Sequence, residues 1–118
     1  VLIFSRLPKG ERSDFFSNIK ESKMINVIAQ FSVKSENIPQ FLVKCQELIK
    51  HTRQEAGCVS YELQKNTEQA NHYVFLEQWK SKADLEKHFT TPHFTSIVPA
   101  LIEYCEQSPV VQTFQKAE

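Results

Sequence analysis

The 118-residue chain contains only two glycines, Gly10 and Gly57, and this scarcity removes several function classes at once. Phosphate-cradling loops need clustered glycines so that the backbone can approach the anion, and neither GxGxxG nor GxxxxGK[ST] occurs. The GxSxG elbow that presents a serine nucleophile is missing too. Charge of one sign is also lacking: 14 basic and 14 acidic side chains give a formal net charge of zero, with no basic block. Nucleic acids and anionic membranes both call for a concentrated positive footprint, so neither is an expected partner. No apolar run approaches the roughly 20 residues that span a bilayer. Residues 1–4 are apolar, but they are too few and lack a preceding basic region for a signal peptide. The three cysteines, Cys45, Cys58 and Cys105, are odd in number and widely spaced, so they form neither a CxxC pair nor a disulfide framework. Buried thiols in a reducing compartment follow, with the cytoplasm as the expected location.

What is present fits one small α+β domain. The length suits a single domain, and a chain of this size buries only about two-thirds of its unfolded surface, so a second subunit would add useful burial. Hydrophobic content of 41% and charged content of 24% are ordinary for a globular protein. Residues 1–23 read differently from the rest: a Pro-Lys-Gly punctuation at Pro8 to Gly10 precedes a short segment with Phe15, Phe16 and Ile19 that could form one or two helical turns. Met24, the only methionine, stands just before a strongly patterned strand and is the expected start of the functional domain, 24–118. The leader, 1–23, is then a misassigned start, a cloning remnant or a docking arm.

Residues 24–33 alternate, with Ile25, Val27, Ala29, Phe31 and Val33 on one face, which predicts a strand. Asn37 offers an N-cap with Gln40 in the capping-box position. Ile38, Phe41, Leu42, Cys45, Leu48 and Ile49 then follow at helical spacing. Gly57 is the expected left-handed terminator of that helix. Residues 58–65 form a second strand with Val59, Tyr61 and Leu63 in alternation; a polar hairpin loop covers 66–71, and 72–80 form a third strand. Ser81 caps a short helix carrying Leu85, His88 and Phe89. Thr91-Pro92 opens another helical segment with Phe94, Ile97, Val98, Leu101 and Cys105, in which Pro99 should kink the helix or shorten one end. Pro109 introduces a last strand around 110–114. The order is β-α-β-β-α-β, the ferredoxin-like arrangement with a four-stranded antiparallel sheet. No solenoid-period repeat or low-complexity tract interrupts it.

The third strand is apolar on both faces: Tyr73, Phe75 and Trp79 on one, Val74 and Leu76 on the other. Two helical regions cover one face of a four-stranded sheet, so the other needs a second cover. The expected cover is another copy of the chain, giving a homodimer through the open sheet face. The alternative is a monomer with the leader over that face, but the leader has few large apolar residues.

The polar and aromatic residues expected to converge are Tyr61, Glu77, Trp79, His88 and His93. Strand parity puts Tyr73, Phe75, Glu77 and Trp79 on one face. If that face meets the helices, Glu77 and Trp79 line a space closed by His88, His93 and Phe94. An aromatic-walled cavity with a few polar groups suits a small aromatic ligand, and a histidine there could take a proton near neutral pH. Each residue also has a purely structural reading: Glu77 as a strand-end carboxylate, Trp79 as core, His88 as a hydrogen-bonded packing residue, His93 as a ring that caps a helical turn, Tyr61 as a satisfied core phenol. His51 and His72 read as surface residues. No metal site is expected, because His88 and His93 are five apart across a helix break and no cysteine pair completes a set. A thiol nucleophile has no activating histidine nearby in sequence.

The run Glu55-Ala56-Gly57-Cys58-Val59-Ser60-Tyr61, then 73–79 (YVFLEQW), then 81–85, and then His88 with Thr91-Pro92-His93-Phe94 resemble the antibiotic-biosynthesis-monooxygenase family in order and spacing. The likeness covers residue 24 to about residue 116. It implies a dimeric ferredoxin-like α+β barrel with a pocket in each subunit between sheet and helices. The Thr-Pro-His segment is similar to quinol monooxygenases and to the isomerase of phosphorylated autoinducer-2. A haem-degrading branch uses an asparagine on the first strand, the tryptophan, and a histidine ligand on the later helix; Trp79 matches, but Phe31 and Val98 stand at the other two positions, so no imidazole is there for iron.

The resemblance thus implies a cofactor-free monooxygenase, an oxidoreductase acting on a quinol or similar electron-rich aromatic with O₂. His93 or His88 would act as base, Trp79, Phe75 and Phe94 would wall the ring, and Tyr61 and Glu77 would orient its oxygens. No cofactor or metal is implied, since the substrate carries the reducing power. The alternatives are isomerisation of a small phosphorylated dicarbonyl, with Lys80, Lys82 or Lys87 as phosphate contacts, and a non-catalytic dimeric aromatic-binding or stress module.

Overall fold

The computed structural model describes residues 24–118; the expectations for the leader fall outside them. Strand β1 (Ile25–Ser32) leads through a 3₁₀ turn to helix α1 (Ile38–Thr52), followed by β2 (Cys58–Lys65), β3 (His72–Trp79), α2 (Lys82–His88), α3 (Pro92–Glu103) and β4 (Val110–Phe114). The strands form one sheet in the order β2-β3-β1-β4, with every neighbouring pair antiparallel. This is the expected ferredoxin-like α+β fold.

One face of the sheet carries the helices. On it Val27, Ala29 and Phe31 of β1 and Phe75 and Trp79 of β3 pack against Phe41, Cys45 and Leu48 of α1 and Ile97 and Leu101 of α3. The Phe31 ring meets Phe41 and Phe75 at centroid distances of 5.6 and 5.9 Å. Cys45 and Cys105 are buried, Cys58 is half-buried, and all three thiols are free. Burial pushes the Cys45 thiol up to about 12, so it is an inert core residue. On the opposite face Ile28 lies across from Leu76, and Gln30 across from Val74 and Val110. Among the described residues no helix covers this side, where Leu76, Val110 and Phe114 are exposed.

Local signals acted partly as expected. Ser81 Oγ accepts from the Asp84 N–H at 3.2 Å and donates to Asp84 Oδ2 at 2.9 Å, and Thr91 Oγ1 accepts from the Phe94 N–H at 3.3 Å with Pro92 in the first turn. Helix α3 runs through Pro99 without ending there. Asn37 makes no side-chain cap: the 3₁₀ turn Ser35–Asn37 enters the helix first, so Asn37 has φ −102° and ψ 1° rather than the extended conformation a cap needs. In the β2–β3 hairpin Asn71 adopts φ 67°, and Asn66 Oδ1 accepts from the N–H groups of Glu68 and Gln69. A register shift between Cys58 and Ser60 turns Val59 away from the Tyr61 side, and it is 43% exposed.

Gly57 has a different role from the one its position suggested. Helix α1 ends at Thr52, and no glycine among the described residues has positive φ. Instead, a Cβ at position 57 would overlap the Asp84 side chain, so the glycine lets the segment before β2 approach the start of α2. The Gly57 carbonyl also accepts from the Lys80 N–H at 2.9 Å. Gly57→Ala should therefore destabilise the fold by about 1–3 kcal/mol, the range for overpacking at a tight contact. Urea denaturation checks this: the midpoint should fall with an unchanged m-value, and an unaltered midpoint would mean that the contact relaxes at no cost.

Candidate functional site

The helix-facing row of β3 sets the site. Glu77 pairs across the sheet with Tyr61 of β2 and Val27 of β1, which places two polar side chains in one row of an otherwise apolar face. Phe75, one row along, stacks on the Tyr61 ring at 4.8 Å. Arg53, just after α1, donates from two guanidinium nitrogens to the Tyr61 carbonyl at 2.9 and 3.1 Å and so holds the end of the helix to β2. The last residue of α2, His88, is buried against the edge of this row, with its ring 4.5 Å from Trp79 and 5.6 Å from Tyr61.

A cavity of about 310 Å³ lies between the sheet and the helices. Tyr61, Glu77 and His88 supply its polar wall, while Phe75, Phe94, Val98, Leu101, Ile102 and Val111 are among its apolar lining. This volume stands at the small end for ligand pockets. Among the described residues, no lysine or arginine lines it.

Among the residues picked out from sequence, Tyr61, Phe75, Glu77, His88 and Phe94 line the cavity. Trp79 does not: it is fully buried behind the wall, and its indole N–H donates to Glu77 Oε1 at 2.8 Å. His93 also stands behind the wall, with its ring stacked on His51 at 5.7 Å. The residue that sequence reasoning left without a role is Glu55, in the turn after α1. Its Oε2 lies 2.7 Å from His88 Nδ1 and 2.6 Å from His93 Nε2. A carboxylate can only accept, so both rings donate to the same oxygen. For His88, which lines the cavity, this commits the proton to Nδ1 and leaves Nε2 as the ring's acceptor.

The surroundings adjust the protonation of these groups. Burial lowers the His88 pKa, while its hydrogen bond to Glu55 works in the opposite direction. The ring is therefore held neutral. Burial raises the Glu77 carboxyl to about 7, the indole bond of Trp79 opposes that rise, and the charge of Glu55 adds to it. Burial likewise pushes the Tyr61 phenol well above its ordinary value, with Glu77 the next cause, so it remains a donor. The half-buried Cys58 thiol is raised to about 11 by burial and then by Glu55 and Glu77, which makes it a poor nucleophile.

Residues 24–100 match the family model described as antibiotic biosynthesis monooxygenase, and the chain belongs to that family. An uncharacterised protein of Synechocystis is 33% identical over 85 residues, 72% of this chain and 53% of its own length, so the chain spans about half of that relative. The Bacillus subtilis protein YcnE, which carries a provisional monooxygenase name, is 37% identical over 75 residues, 64% of this chain and 79% of its own. A crystal structure described as an antibiotic biosynthesis monooxygenase superposes with a TM-score of 0.76 at 35% identity, covering 80% of this chain and 99% of that one.

The Glu77 environment makes a prediction about stability. Its pKa rises from an ordinary 4.5 to about 7 on folding, so between those values the native state holds a proton that the unfolded chain has released. Stability should fall as pH rises through this window, by up to about 3 kcal/mol, and stay low above it. Glu77→Gln keeps an oxygen acceptor for the Trp79 indole and removes the titration. Thermal unfolding from pH 4.5 to 8 should show the variant gaining on the wild type as pH rises; parallel curves would contradict the buried-carboxyl account.

Proposed function

We propose that this protein is a cofactor-independent monooxygenase acting on a quinol or a similarly small electron-rich aromatic. The observation that carries the reading is one buried imidazole, His88, lining a small aromatic-walled cavity with its Nδ1–H held by Glu55. His88 Nε2 takes the proton from a substrate hydroxyl. The resulting anion passes one electron to O₂, the radical pair recombines to form a carbon–oxygen bond, and the peroxide anion takes the proton back from His88. The hydroperoxide then loses water to leave a quinone, so the substrate supplies all the electrons. Tyr61 and the protonated form of Glu77 donate to the substrate oxygens, and Phe75 and Phe94 wall the ring. Trp79 acts behind the wall by holding Glu77, and His93 by sharing the Glu55 oxygen.

The reading includes a homodimer. Ile28 of β1, Val74 and Leu76 of β3, and Val110 and Phe114 of β4 lie on the side that no described helix covers, and a second sheet covers such a face at low cost. Isomerisation of a phosphorylated dicarbonyl is less well supported, because a phosphate would need a cation and the described residues that line the cavity include none.

Oxygen uptake by metal-stripped protein with a panel of reduced quinones tests the chemistry. His88→Gln should lower the enzyme-dependent rate at least 100-fold, the lower range for a lost general base, with its fold intact by circular dichroism. Glu55→Gln should lower it about tenfold through a misplaced ring proton, roughly 1.4 kcal/mol of barrier. Uptake no faster than autoxidation across the panel, or a fully active His88→Gln, would overturn the reading; tight binding of aromatics without turnover would point to the binding module.

A further inference from the structure

The side of His88 away from the cavity carries a second constellation. Glu55 Oε2, His88 Nδ1 and His93 Nε2 all lie within 4.8 Å of one another. They come from three segments: the turn after α1, the end of α2 and the first turn of α3. Two imidazoles and one carboxylate form a ligand set suited to Zn²⁺, and three protein ligands leave a fourth position for water. Tetrahedral coordination at about 2.0–2.2 Å sets ligand atoms roughly 3.3 Å apart. The two hydrogen-bonded pairs, at 2.6 and 2.7 Å, would open by well under an ångström to admit the ion. The side chains of Glu55 and His93 are 14% and 16% exposed, so the cluster is reachable from solvent while His88, at 1%, forms its buried floor. The sequence separation of five residues between the histidines argued against a shared ion; Glu55, 33 and 38 residues away along the chain, changes that by bridging them.

We propose that Glu55, His88 and His93 form a binding site for a divalent transition-metal ion of the Zn²⁺ class, in competition with the protons that now link the three side chains. Metal ligation needs a lone pair on His88 Nδ1 and on His93 Nε2, so in each neutral ring the proton moves to the other nitrogen. For His88 that places the proton on Nε2, the nitrogen that the oxygenase reading uses as base. A consequence that rests on the oxygenase reading is that bound Zn²⁺ removes the base and shuts off turnover, which makes the ion an inhibitor and not a cofactor.

Isothermal titration of the EDTA-treated full chain with ZnCl₂ tests the site without any assay of turnover. One ion per chain should bind with a Kd of about 10 μM or tighter, and His93→Asn and Glu55→Gln should each weaken it at least 30-fold, whereas His51→Asn should leave it within about threefold. Nitrogen-15 spectra of the wild-type imidazoles should show His88 changing from the Nδ1–H to the Nε2–H tautomer as Zn²⁺ is added, a readout that needs no variant. No binding at 100 μM Zn²⁺, undiminished binding in either ligand variant, or an unchanged His88 tautomer at saturation would overturn the site. Binding with these signatures but no effect on oxygen uptake would leave the metal site standing and count against His88 as the base.

Discussion

Glu55 Oε2 accepts from His88 at 2.7 Å and from His93 at 2.6 Å, and through these two bonds a short turn holds the adjoining ends of two helices. Charge-assisted bonds of this kind are about twice as strong as neutral ones, and the buried ring of His88 would otherwise carry an unmet donor at a cost of about 1–3 kcal/mol. The carboxylate therefore performs two tasks. It ties α2 and α3 to the segment before β2, and it decides which nitrogen of His88 carries the proton.

The scaffold around this contact brings Glu55 into reach. Arg53 fastens the end of α1 to the Tyr61 carbonyl, and Gly57 lets the following turn lie against Asp84 at the start of α2. Ser81 and Thr91 cap the two short helices and so set where His88 and His93 fall. Beneath them, the sheet presents Tyr61 and Glu77 in one row, and Trp79 holds the Glu77 carboxyl with its indole N–H. Glu77 and His88 have their pKa values moved in opposite directions by the same burial: the acid is kept partly protonated, the imidazole neutral. A hydrogen-bond donor and a proton acceptor thus share one wall of an apolar space near neutral pH.

Much of the fold was legible in the sequence because its period-two strands, helical stripes and capping residues agree with one another. The alternation through Tyr73, Phe75, Glu77 and Trp79 placed the helix-facing row correctly, and five of the seven candidate residues line the cavity. The departures have specific causes. Asn37 lost its cap to a 3₁₀ turn, Val59 was turned outward by a register shift, and Gly57 serves a close contact where a left-handed turn was expected. Trp79 and His93 stand behind the wall, because parity and proximity along the chain do not distinguish lining a space from supporting the residues that line it. Glu55 went unassigned because its bonds span 33 and 38 residues, beyond any local pattern. The one signal that pointed to it was its place at the head of the Glu-x-Gly-Cys-x-x-Tyr run that carries the family likeness.

Through its bond to Nδ1, Glu55 sets the protonation state of His88. Nitrogen-15 long-range correlation spectra of the metal-free wild-type protein at neutral pH test it directly. The wild type should show a neutral His88 ring with the proton on Nδ1 and a bare Nε2, and Glu55→Gln should lose that preference. An Nε2–H tautomer or a charged ring in the wild type would contradict it.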